Sequence, residues 1–159
     1  MASRARAALA VACLLSASAA SAAPDCWRAA GQRHGIDPLL LYAIASAESS
    51  LDARAINRNR DGSHDIGLMQ INSMHLPDLA RQGITRQRLL DEPCLSIDVG
   101  ASILSGFIRR HGRTWRAVGA YNAGSAANRE AARTRYVERV WPLYLELAGE
   151  RERRRRVGG

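Results

Sequence analysis

The 159-residue chain carries 23 basic and 15 acidic residues, a formal charge of +8 at pH 7, and is 47% hydrophobic but only 5% aromatic. This length suits one domain with one core; nothing marks an internal repeat or linker, and no apolar run is long enough to span a bilayer. Every basic residue is arginine. The charge suits an anionic polymer such as cell wall, membrane surface or nucleic acid, but no aromatic-interleaved basic face or recognition-helix pattern supports nucleic acid.

The chain opens with the pattern of an export leader. Arg4 and Arg6 form a basic start, Ala7 to Leu15 an apolar stretch, and Ala20-Ser21-Ala22 a small-residue cleavage site. Residues 1–22 are therefore expected to be a signal peptide, with the mature chain starting at Ala23. Lipidation at Cys13 is disfavoured by Ala10, where a larger aliphatic is usual, and by the further apolar run after Cys13. Losing Arg4 and Arg6 lowers the charge from +8 to +6 and leaves two cysteines, Cys26 and Cys94. An even pair in an exported chain reads as a disulfide, the alternative being two buried thiols. Closing a loop of about 69 residues stabilises a fold by roughly 4 kcal/mol on the chain-entropy argument.

The elements after the leader are mostly helical. Asp25 is expected to cap a first helix through Trp27 and Ala30 that stops at His34-Gly35. Asp37-Pro38 then starts a second, with an N-cap carboxylate and proline at the first helical position. Leu41, Ile44 and Ala45 lie seven, four and three residues before Glu48, so this helix carries its apolar stripe into an acid. A carboxyl on that face loses water, which raises its pKa and keeps it protonated near neutrality, as a general acid requires. The turn formers Asn57, Asn59, Asp61, Gly62 and Ser63 predict a short β-hairpin or loop around residues 57–72. Leu76 to Leu90 reads as one or two short helices broken at Gly83, ended by a tight connection at Asp91-Glu92-Pro93-Cys94.

Ser96 to Arg110 has the clearest helical period, with Val99, Ile103, Leu104, Phe107 and Ile108 on one face and Gly112 as its stop. Thr114 can cap a helix through Trp115, Val118 and Tyr121, which Asn122-Ala123-Gly124 breaks. A last helix is expected from about Thr134, kinked or divided at Pro142, with residues 150–159 as a frayed, disordered basic tail. The arginines of that tail, Arg151 and Arg153 to Arg156, read as a solvated run or as a hold on the anionic wall or an acidic partner. His34, His64, His75 and His111 show no paired ligand spacing, so no metal and no cofactor are expected.

Three short motifs remain: Glu48-Ser49-Ser50, the run Asp65-Ile66-Gly67-Leu68-Met69-Gln70-Ile71-Asn72, and Ala120-Tyr121-Asn122-Ala123-Gly124. Each alone is weak; their order and spacing are distinctive. With them the chain resembles the soluble lytic transglycosylases, over roughly Cys26 to Leu147. The run from Asn57 to Asn72 looks most like the small enzymes associated with type III secretion, type IV secretion and pilus systems. It is also similar to C-type lysozymes, where an aspartate stands before a related Gly-aliphatic-aliphatic-Gln-Ile-Asn run, as Asp65 does here. The chain departs from the family after Gly124, where Ser125-Ala126 stand in place of the usual proline.

The resemblance implies a mainly α, lysozyme-like α+β domain over residues 23–149, periplasmic and monomeric, acting on the glycan strands of peptidoglycan. It implies cleavage of the β-1,4 bond between N-acetylmuramic acid and N-acetylglucosamine with a 1,6-anhydro product, to open the wall locally for a secretion or pilus apparatus. Glu48 is then the acid/base, and the substrate's N-acetyl oxygen can stabilise the anomeric charge without a second carboxylate. Asp65 either shares that stabilisation or is a turn aspartate. The substrate-contacting residues implied are Asn57, Met69, Gln70, Tyr121, Asn122 and Tyr136. Each has a plainer reading: Met69 as core filler, Asn57 and Asn122 as loop or cap residues, Tyr136 as a packing residue. Two other functions fit the same motifs less well, a hydrolytic muramidase using Glu48 and Asp65 and a non-catalytic wall-binding scaffold subunit.

Overall fold

The computed structural model describes residues 23–158, and the expected leader at 1–22 lies outside them. Seven helices and one small sheet follow in the order α1 (Ala23–His34), α2 (Pro38–Ser49), β1 (Ile56–Arg58), β2 (His64–Ile66), β3 (Ile71–Asn72), α3 (Leu76–Ala80), α4 (Arg86–Asp91), α5 (Pro93–His111), α6 (Trp115–Ala123) and α7 (Glu130–Val157). The fold is thus mainly α with a small sheet, as the sequence implied. Helix α5 lies against α1, α4, α6 and β3, while α7 packs along α2 and α6. Leu41, Ala43, Ile44 and Ala45 of α2 are completely buried together with Leu89, Leu104 and Val140. Among the described residues, no helix is long and apolar enough to cross a membrane.

Several starts and stops are those expected from single residues. Asp37 caps α2 by accepting from Leu39 N–H at 3.0 Å, and Thr114 caps α6 by accepting from Ala117 N–H at 3.4 Å. Gly35, Gly83, Gly112 and Gly124 all take positive φ at the breaks. Cys26 and Cys94 are joined, with Cα atoms 5.3 Å apart, fastening α1 to the first turn of α5. Arg33 and His34 at the end of α1 reinforce that seam through Asp98 of α5.

Other expectations need correction. Helix α1 already includes Asp25, because Pro24 fits a first turn and lets the helix begin before it. Pro93 likewise opens α5 instead of ending the preceding connection, so only Glu92 separates α4 from α5. The hairpin expected around residues 57–72 is present as β1 and β2 and is extended by β3 into a three-stranded antiparallel meander, with Asn57 opposite Asp65 and Asp65 opposite Asn72. Helix α7 begins four residues before Thr134 and is not divided at Pro142. Both Pro142 and Glu138, whose carbonyl loses its intrahelical partner there, are exposed, so water can supply the missing bond.

Residues 150–157, expected as a frayed tail, continue α7. Arginine is a good helix former, and Arg156 pairs with Glu152 at 3.2 Å one turn away. Tertiary contact also helps, because Arg151 reaches back to Asp37 at 3.3 Å, beside the Tyr144 hydroxyl that donates to the same carboxylate at 3.0 Å.

Burial alone would push the Asp37 pKa up, but the Leu39 N–H, the Tyr144 hydroxyl and the Arg151 guanidinium together hold it below the usual 3.8. A pKa depressed by folding adds stability that is present above the unfolded value and lost as pH falls through the folded one. Asp37→Ala should therefore lower stability by about 1–2 kcal/mol at neutral pH through the lost cap. Its melting temperature should converge on that of the wild type as pH falls below 3.8 and through the lower folded value. A gap undiminished in acid would show that the carboxylate's charge is not what stabilises this corner.

Candidate active site

Glu48 sits in the last turn of α2, which ends because Ser50 (φ 54°) and Leu51 (φ 66°) turn left-handed. The helix end is fastened to the next motif by the Ser49 hydroxyl, which donates to the Leu68 carbonyl at 2.8 Å. Leu68 belongs to the tight turn 67–70 between β2 and β3. Gly67 is required there: its φ is 71°, and a Cβ would stand 2.7 Å from the Leu89 carbonyl oxygen.

The Met69 side chain is fully buried, against Gly100 of α5, where a Cβ would lie 2.8 Å from its methyl. Gln70 is 7% exposed; its amide donates to the Gly67 and Ala55 carbonyls at 2.8 and 3.2 Å and accepts from Asn57 at 2.7 Å. The side chains of Met69 and Gln70, expected to contact substrate, are thus engaged within the protein. Met69 is turned into the core by the Gly100 notch, and both amide hydrogens of Gln70 are engaged by backbone. Asn57, bonded to Gln70, stays on the exposed face of β1. The turn also anchors α6, since Tyr121 Oη donates to the Met69 carbonyl at 2.7 Å.

Around the Glu48 carboxyl stand Tyr136, Arg139 and Asn122, with the charge of Asp65 felt there as well. Burial raises the Glu48 pKa above its ordinary 4.5; the Tyr136 phenol, the Arg139 guanidinium and the Asn122 amide act against that rise, and the charge of Asp65 adds to it. Tyr136 is 1% exposed. Its phenol stands close enough to Glu48 to favour the charged carboxylate, yet its oxygen lacks a partner in good hydrogen-bonding geometry among the described residues. Burial, and then the Glu48 charge, push the Tyr121 and Tyr136 phenols well above their ordinary values, so both stay neutral donors.

Asp65 is half-buried on β2, the middle strand. Asn59 donates to one carboxylate oxygen at 3.0 Å and Asn72 to the other at 2.9 Å. The aspartate is thereby held across the sheet with its charge felt at both Glu48 and Tyr121.

Three polar residues here escaped the sequence reading. Arg139 lies over the Tyr136 ring with its guanidinium carbon 5.2 Å from the centroid and acts on Glu48. Arg133, 1% exposed, donates to the Gly124 and Ala126 carbonyls at 2.7 and 3.0 Å and pairs with Glu130 at 2.6 Å. It fixes the loop in which Ser125-Ala126 replace a proline. Asn59 had been read only as a turn former. The usable signal for Arg133 was its position one helical turn before Tyr136, on the same buried face.

Residues 25–143 match the model of the transglycosylase SLT domain. The chain belongs to this family. It is accordingly a peptidoglycan lytic transglycosylase. The transglycosylase is 50% identical over 125 residues to invasion protein IagB of Salmonella typhimurium, covering 79% of this chain and 78% of that one. It is 42% identical over 132 residues to protein IpgF of Shigella flexneri, covering 83% and 87%. An inactive mutant of lytic transglycosylase Slt from Pseudomonas aeruginosa shares the fold, with a TM-score of 0.65 at 21% identity over 84% of this chain. The chain spans 25% of that much longer protein.

Because folding raises the Glu48 pKa, ionising Glu48 opposes folding. That loss develops as pH rises past the unfolded value near 4.5 and is complete above the folded value. Glu48→Gln should thus be at least as stable as the wild type near pH 7, with the difference vanishing below about pH 4. A variant clearly less stable at neutral pH would instead reveal a stabilising ion pair at this carboxyl.

Proposed function

We propose that Glu48 is the acid and then the base of a non-hydrolytic cleavage of peptidoglycan strands between N-acetylmuramic acid and N-acetylglucosamine. The observation that carries this reading is the raised pKa of Glu48, caused first by burial at the end of an otherwise apolar helix face. Its proton passes to the glycosidic oxygen as the bond to the anomeric carbon breaks. The resulting carboxylate then takes the proton of the muramic 6-hydroxyl, whose oxygen closes onto the same carbon as a 1,6-anhydro ring. Proton and bonds balance without water, and Glu48 ends as it began. Asn57, Tyr121, Asn122 and Tyr136 are the residues we assign to the sugar and the acid.

Asp65 is proposed as a fixed negative charge that favours the oxocarbenium-like state. Its two asparagine donors hold it in place, and its repulsion helps keep Glu48 protonated. The same observation favours the second reading, a muramidase in which Asp65 assists water. The leader pattern at residues 1–22 supports an exported, periplasmic enzyme, and the resemblance of residues 57–72 to secretion-associated enzymes, with an invasion protein among the relatives, supports a role in opening the wall for a secretion apparatus. A scaffold without activity has no use for an acid set in this way.

Mass spectrometry of fragments released from purified peptidoglycan decides between these readings. Products one water lighter than hydrolysed fragments, falling by about 10²–10⁴ with Glu48→Gln, are expected. Products carrying the added water would make the enzyme a muramidase, and no release would favour the scaffold.

Asp65→Asn supplies a separate test. Activity needs protonated Glu48, so its alkaline limb follows that pKa; removing a charge that raises the pKa must move the limb to lower pH. The rate at the optimum should fall by about 10²-fold, as for loss of one preorganised electrostatic contact. A limb that stayed in place would remove Asp65 from the electrostatics of the acid.

A further inference from the structure

On α7, Trp141 follows Tyr136 by five residues, which turns it about 140° around the helix. It therefore lies on a face directed away from Glu48. There α6 and α7 enclose a groove of about 290 Å³, lined by Trp115, Arg116, Glu130, Thr134, Glu138 and Trp141 among others. The Trp141 side chain is 40% exposed. It is nevertheless held: the Trp115 ring meets it edge-on at 4.6 Å between centroids and 84° between planes, and Tyr144 flanks both. Arg116 pairs with Glu130 at 3.2 Å along the rim.

Aromatic side chains bordered by the Thr134 hydroxyl, the carboxylates of Glu130 and Glu138 and the guanidinium groups of Arg116 and Arg133 match the chemistry of a pyranose. Such a ring offers an apolar face for stacking and a girdle of donors and acceptors at its edge. The rim charges partly cancel each other, so the groove suits an uncharged polyhydroxyl ring better than a polyanion. The arginine-rich end of α7 is the part suited to anions.

We propose that this groove is a second glycan-binding site, taking an N-acetylhexosamine unit of a neighbouring strand while the Glu48 cleft holds the strand to be cut. The proposal rests on the glycan-cleaving reading above. Its function is tethering. In a wall of many strands, a weak second contact raises the effective concentration of the enzyme at its substrate without touching the chemistry.

The test compares retention on insoluble peptidoglycan with turnover of short soluble glycan fragments, which can occupy only one site at a time. Trp141→Ala should weaken retention about tenfold and leave soluble turnover within about twofold; Arg116→Ala should weaken retention in the same direction. In the Glu48→Gln protein, N-acetylglucosamine tetrasaccharide should shift the indole N–H resonances of Trp115 and Trp141 in NMR spectra. Unchanged retention in both variants, or indole signals that stay still while those of the cleft move, overturns the proposal and leaves the groove to a protein partner. Should Trp141→Ala also lose soluble turnover, Arg116→Ala and the indole shifts decide. Failure of the wild type to cleave soluble fragments would count against the enzymatic reading alone, since retention is read independently of cleavage.

Discussion

The turn from Gly67 to Gln70 is where this molecule is tied together, and the tie is mainly backbone. Its carbonyls accept from three directions: Ser49 of α2 bonds Leu68, Tyr121 of α6 bonds Met69, and the Gln70 amide bonds Gly67. A carbonyl inside the protein must find a donor or lose roughly 1–3 kcal/mol of solvation, so each of these side chains is needed. The three sequence motifs are thus parts of one hydrogen-bonded knot. That explains why each looks weak alone: none of them forms a complete unit until the other two arrive.

The electrostatics of the site follow from that knot. Glu48 ends α2 as a half-buried residue, and Asp65 lies on β2, the strand that runs into the turn. The two carboxyls have opposite surroundings. Glu48 has lost water and meets a phenol without a completed hydrogen bond, whereas Asp65 receives two amide donors. Loss of water favours the protonated form of Glu48, and the nearby charge of Asp65 adds to that effect. The Tyr136 phenol, and after it the Arg139 guanidinium, oppose that rise.

Legibility in the sequence divides along the same physical line. Local signals were readable: Asp37 and Thr114 as caps, the breaking glycines, the periodic face of α5 and the buried approach to Glu48 all depend on neighbours within one turn. The direction of a side chain was not. Met69 and Gln70 were assigned to the substrate by resemblance, yet the notch at Gly100 and the carbonyl of Ala55 claim them, and both lie far away in the chain. Arg133 and Arg139 were hidden by composition, since in a chain where all 23 basic residues are arginine one buried guanidinium carries no distinctive mark. The end of α7 was misread as frayed because its stabilising partner, Asp37, lies 114 residues earlier.

That distant partner has a consequence for the helix that carries Glu48. Asp37 caps the start of α2 while accepting from Tyr144 and Arg151 of α7, and Ser49 fastens the other end of α2 to the turn. Helix α2 is therefore held at both ends by contacts outside itself, and Glu48 moves only if one of them yields. Between those anchors α7 contributes Tyr136 and Arg139 to the acid's surroundings. One long helix thus touches both the cap that positions α2 and the carboxyl that α2 delivers. Its undivided passage through Pro142 matters for this reason: a break there would uncouple the Asp37 anchor from the residues that set the charge of Glu48.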